Sequence, residues 1–125
     1  HADLWRQGGR RYAWRYFEQA LARDPDQISL LNNAAWLAAT DRDTPPEIAA
    51  RAREWAERAV DLTGGVNATA LDTLGAARAA GGDYPGAVAA AERALTLATA
   101  RGDAAQAAGI RARLDLYRSG APFRE

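Results

Sequence analysis

The chain of 125 residues has no cysteine, no methionine, no lysine, one histidine at position 1, and two serines, Ser29 and Ser119. Each scarcity removes a class of chemistry. Without cysteine there is no disulfide and no thiolate nucleophile. A serine nucleophile needs a base and a group that orients that base, and neither serine has such partners near it in sequence. A lone histidine at the first position does not supply them. No apolar run approaches the roughly 18 residues of a membrane-spanning helix, and no leader-like pattern opens the chain, so a soluble piece without direct membrane insertion is expected. Sixteen acidic residues balance sixteen basic ones, for a net charge of zero. The two signs are interspersed, and with no basic stripe to follow a phosphate backbone, nucleic acid is not an expected partner.

The remaining polar groups also argue against an active site. Asp41, Asp43 and Glu47 are too few for an oxygen cage and lack the glycine that usually turns one; a solvated loop and a helix cap are expected there. Asp72 and Glu92 have nothing that fixes their separation as acid and base, so they read as surface charge. Gly64-Gly65 and Gly81-Gly82 fall between helices, not between a strand and a helix as in a phosphate loop. The expectation is a non-enzymatic chain with no catalytic, cofactor-binding or metal site and no cofactor.

What the chain does have is alanine, arginine and helical periodicity. Apolar residues recur at helical spacing and no stretch alternates as a strand would; the chain is expected to be all-α. Asp26 is positioned to cap a helix running to about Thr40, and Thr44-Pro45-Pro46-Glu47 offers a cap, a first-turn proline and a glutamate three residues on. Asn67 and Asp83 mark two further starts, while Gly64-Gly65, Gly81-Gly82 and Gly102 mark breaks. Helices are predicted near 10–23, 27–40, 45–63, 68–80, 84–100 and 103–118, grouped in pairs.

Self-comparison shows a period. Ala13, Ala52 and Ala87 are equivalent, as are Ala20, Ala59 and Ala94, each followed by Leu21, Val60 or Leu95. Leu30, Asn33-Ala34 and Leu37 match Leu71, Leu74-Gly75 and Arg78 when a longer loop is allowed at Asp41 to Pro46. Small residues recur where paired helices nearly touch, and Leu71, Leu74, Leu95 and Tyr84 fill the space between. A repeat of about 34 residues built from two helices resembles the tetratricopeptide repeat family. "LGAARAAGGDYPGAVAAAERAL" carries the resemblance most fully. Arg78, Ala91 and Thr99 depart from the family's usual residues, whereas Phe17 and Pro25 keep them. The tail "RARLDLYRSGAPFRE", with "LLNNAAWLAAT" and "ALDTLGAA", is similar to the C-terminal portion of bacterial tetratricopeptide proteins.

This resemblance implies a right-handed α-solenoid of antiparallel helix pairs, a TPR-like superhelix, closed by a C-terminal capping helix. One domain spans 1–125: a partial repeat 1–25, repeats 26–66 and 67–101, a capping helix 103–118 carrying the stripe Ala107, Ile110, Leu114 and Tyr117, and a tail 119–125. In register the chain begins inside a repeat and is expected to be a fragment. In the family the first helix of each pair lines a concave groove, which implies a protein or peptide partner held by Ile28, Leu31, Asn32, Ala35, Thr69, Asp72, Thr73 and Ala76, with Ala38, Ala39, Ala79 and Ala80 further along. Asn32 takes the slot where groove-binding relatives often carry an Asn that grips a ligand main chain; the alternative is a hydrogen bond within its own solenoid. These slots hold no Lys or Arg, so a cationic clamp for a terminal carboxylate is not expected. Trp36 is expected to face Phe17 in the core, and Trp55 and Tyr16 to be partly exposed on second helices. Leu4 and Trp5 lack their covering helix and are expected to form an exposed patch for self-association through the truncated N-terminal face. Because such repeats often append to a kinase or a membrane-embedded glycosyltransferase, the competing reading is a structural spacer or oligomerisation element of a larger protein.

Overall fold

A computed structural model of the chain describes residues 10–125. Leu4 and Trp5 lie outside the described residues. Among the described residues there are six helices and no strand: α1 (Arg10–Arg23), α2 (Ile28–Thr40), α3 (Pro46–Leu62), α4 (Ala68–Ala80), α5 (Tyr84–Ala100) and α6 (Ala104–Arg118). None is long and apolar enough to cross a membrane.

The helix starts follow local chemistry, with two corrections. Asn67 and Asp83 cap α4 and α5, their side chains accepting from the amides of Ala70 at 2.9 Å and Gly86 at 3.0 Å. Asp103 caps α6 in the same way, through Gln106 at 3.0 Å. At α2, however, the cap is Gln27, whose Oε1 accepts from the Leu30 amide. Asp26 stands one residue too early for that geometry and instead takes a hydrogen bond from Arg58 Nε of α3 at 2.6 Å. At α3 the cap position is Pro45, which has no side chain to offer. Thr44 turns away and its hydroxyl donates to the Asp41 carbonyl at 3.2 Å.

The ends are equally local. After α4, Gly82 adopts φ +84°, a conformation that costs a side-chain-bearing residue but not glycine. It brings the Asp83 amide back to the Arg78 carbonyl at 2.9 Å, so one two-residue step stops α4 and delivers the cap of α5.

Each helix lies against the next, and α4 also packs on α2 and on α6. Alanine makes this possible. Ala52, Ala59, Ala87 and Ala94 are fully buried, and Ala13 is 3% exposed; only Ala20 of the six equivalent positions is half-exposed. An alanine loses no rotamer freedom on burial and lets two helices approach closely. Gly75 takes this further, since a Cβ there would stand 3.4 Å from the Ala87 carbonyl oxygen and 3.4 Å from Tyr117 Cε2. Larger side chains fill the space between helix pairs. Phe17, Leu21 and Leu31 gather at one end, and Leu71, Ile110, Leu114 and Tyr117 at the other. Trp14 and Leu74 pack in a third group with Ala35, Ala52 and Ala56. The stripe Ala107, Ile110, Leu114 and Tyr117 is buried as its spacing predicts.

Candidate functional site

The face on which α2, α4 and α6 meet gathers polar side chains. Arg113 of α6 donates from Nε and Nη2 to the two carboxylate oxygens of Asp72 on α4, at 2.8 and 2.7 Å, with side chains only 17% and 12% exposed. A forked pair of this kind fixes direction as well as charge. The guanidinium also lies 5.3 Å from the Trp36 ring centre on α2 and 5.3 Å from that of Phe123 in the tail. These two rings are 5.7 Å apart. One turn before Asp72 on α4, Thr69 Oγ1 accepts from Gln106, two turns before Arg113 on α6, at 3.0 Å. The cluster therefore gathers two aromatic rings and a largely buried ion pair, the guanidinium and the two rings mutually in contact.

The segment Ala121–Glu125 completes it. Gly120 adopts φ +79° and the Ala121 amide bonds back to Leu116 at 3.0 Å, which reverses the chain after α6. Phe123 then reaches Trp36. Arg124 Nη1 donates to the carbonyls of Ala39 at 2.9 Å and Asp41 at 3.2 Å, and the Glu125 amide donates to the Thr40 carbonyl at 2.8 Å. The last carbonyls of a helix have no partner within it and carry its negative pole; here the tail serves those of α2. Arg124 also forms one wall of a cleft of about 390 Å³ between the α2–α3 loop, α3 and the end of α4.

Electrostatics follow burial. Burial pushes the Asp72 carboxyl above its ordinary value, against the opposing hydrogen bond and charge of Arg113. Tyr117 is pushed up as well, first by burial and then by the charge of Asp72, with Arg113 opposing. Its hydroxyl is buried without a hydrogen-bond partner, as is the side-chain oxygen of half-buried Asn32.

Several expectations need correction. Leu31, Ala35, Thr73 and Ala76 are 1%, 0%, 2% and 1% exposed. They do not line an open groove, because the close approach of α2 and α4 turns that stripe into helix contact; Ala38, Ala39 and Ala79 are buried with them. Of the remaining predicted positions Ile28 is exposed, Thr69 is exposed and bonded to Gln106, and Asp72 is held by Arg113 instead of being surface charge. Asp41 is buried and not part of a solvated loop. Trp36 turns to Phe123 and Arg113, while Phe17 packs with Leu21, Leu31 and Ala59. Tyr16 is 61% exposed and Trp55 half-buried, as expected, with Trp55 stacked on Trp14 at 4.9 Å beneath Arg51.

Sequence reasoning missed Arg113, Phe123 and Arg124. The available signal was an aromatic-arginine pair just after a glycine stop, a place where neither residue has a structural duty within α6.

Comparison with known protein families, curated proteins and solved structures finds no match to this chain.

Proposed function

We propose that the chain is a protein-interaction module of the tetratricopeptide type, a right-handed solenoid without enzymatic activity whose α2–α4–α6 face takes an extended peptide. Support for the solenoid comes from the paired helices and from buried alanines at equivalent positions of successive pairs. The observation that carries the binding role is Asn32. Buried polar atoms are nearly always paired, yet its Oδ1 is buried with no donor, one turn from Trp36 on the same helix. Because Asn32 is only half-buried, a turn of its side chain presents this acceptor to a ligand main-chain N–H, and the amide group both accepts and donates.

The test uses peptides selected from a random library on the immobilised chain, then titrated against the parent, Asn32→Ala and Arg93→Ala. Asn32→Ala is expected to weaken binding five- to thirty-fold, roughly 1–2 kcal/mol. Its melting should match or exceed that of the parent, because an unsatisfied acceptor has been removed. Arg93, exposed on α5, should be silent. Equal affinity for all three chains removes this reading.

A further inference from the structure

The tail already behaves as a peptide on this face. The segment 121–125 belongs to no helix and makes an aromatic contact, a guanidinium contact and a main-chain contact in three consecutive residues: Phe123 on Trp36, Arg124 on the Ala39 and Asp41 carbonyls, and the Glu125 amide on the Thr40 carbonyl. Each contact is of the kind that peptide recognition uses, and none depends on the tail being covalently joined to α6. Ala39, Thr40 and Asp41 are buried. Whatever replaces the tail must therefore supply donors to the Ala39 and Thr40 carbonyls or leave them unpaired, which is costly, whereas the Asp41 carbonyl keeps the Thr44 hydroxyl.

We infer that Trp36, Arg113 and the carbonyls ending α2 form a receptor for an extended peptide in which an aromatic residue is followed directly by arginine, and that Phe123-Arg124 fills it in cis until such a partner displaces it. This rests on the reading of the face as peptide-binding and adds its ligand chemistry and its control. Arginine suits the receptor because Arg124 Nη1 donates to two carbonyls at once, and its rigid guanidinium loses less freedom per hydrogen bond than a lysine ammonium does. The cation also sits at the negative pole of α2. Self-occupancy is effective because the linker is only the Gly120 turn. A tail so short has an effective concentration in the millimolar range or above, so a free peptide meets a site that is mostly full.

The experiment adds a labelled heptapeptide spanning Ser119 to Glu125 to three chains: the intact one, one ending at Gly120, and a full-length chain carrying Phe123→Ala and Arg124→Ala. Binding is read by anisotropy and by the indole N–H resonance of Trp36 in a two-dimensional spectrum, assigned with Trp36→Phe. The heptapeptide is expected to bind the shortened chain and the doubly substituted chain, shift the Trp36 resonance, and bind the intact chain roughly tenfold more weakly. Heptapeptides carrying Phe123→Ala or Arg124→Lys should lose most of that affinity. If the shortened chain does not fold, the doubly substituted chain alone decides, since it keeps the Glu125 main chain. Equal affinity for intact and altered chains, or no binding to a folded altered chain at millimolar peptide, overturns the inference. Library peptides that still bind in an Asn32-dependent way would then leave the module reading standing; loss of both would remove the two together.

Discussion

Asp72 and Arg113 show how one buried pair serves two purposes. The carboxylate orients the guanidinium, and the guanidinium in turn presents its plane to Trp36 and Phe123. Burial nevertheless raises the Asp72 pKa, so the folded chain holds that proton more tightly than the unfolded chain. By linkage, this group's contribution to stability is fully present below the ordinary carboxylate value and is lost as pH rises through the folded one. Denaturant unfolding of the parent and of Asp72→Asn across a pH series should show the difference moving in the parent's favour from neutral to about pH 4. A difference that is flat, or that moves the other way, would contradict the dominance of burial over the ion pair. Tyr117 offers a simpler case. Its hydroxyl is buried and unpaired, so Tyr117→Phe is expected to raise stability by about 1 kcal/mol, measured by urea melts. A loss of stability instead would mean that the hydroxyl has a partner in solution.

Elements were the most legible level of the sequence. The helix bounds follow from glycine and Asx punctuation that acts within four or five residues, so no tertiary knowledge was needed to place them. Asp26 and Thr44 failed as caps for an equally local reason: Gln27 and Pro45 stand one residue closer to the helix. The close contacts of α5 were also readable from its alanines. Ala87→Leu and Ala94→Leu should each destabilise by roughly 1–3 kcal/mol, since both positions are fully buried and the added atoms have no cavity to enter. Urea melts that leave either variant at the parent midpoint would show that α5 can shift to make room. The site was less legible. Helical register grouped Asn32 and Thr69 with Leu31 and Ala35, yet the last two are buried. Which side of a stripe stays open depends on how far apart α2 and α4 stand, and residue spacing along one helix does not encode that distance. The meeting of Trp36, Arg113 and Phe123 depends on three separate segments and has no local signature.

At the scale of the whole molecule the helices contact their neighbours and next-but-one neighbours, and the tail bonds reach furthest along the chain. The bonds from Arg124 to Ala39 and Asp41 join residues 85 and 83 positions apart, tying the end of the described chain to its second helix. Chains dominated by local contacts fold quickly, because little loop entropy is lost before contacts form. The tail cannot share that speed: its docking surface exists only once α2, α4 and α6 are assembled. Its arrival therefore marks completion, and a partly folded chain presents the end of α2 bare. Mechanical load behaves in the reverse order. A pull applied through the C-terminal segment meets the tail bonds first and peels them one residue at a time, before any helix is strained. A tether at that end would thus expose the aromatic-arginine receptor under tension while the helices stay intact, making the last five residues a force-sensitive latch.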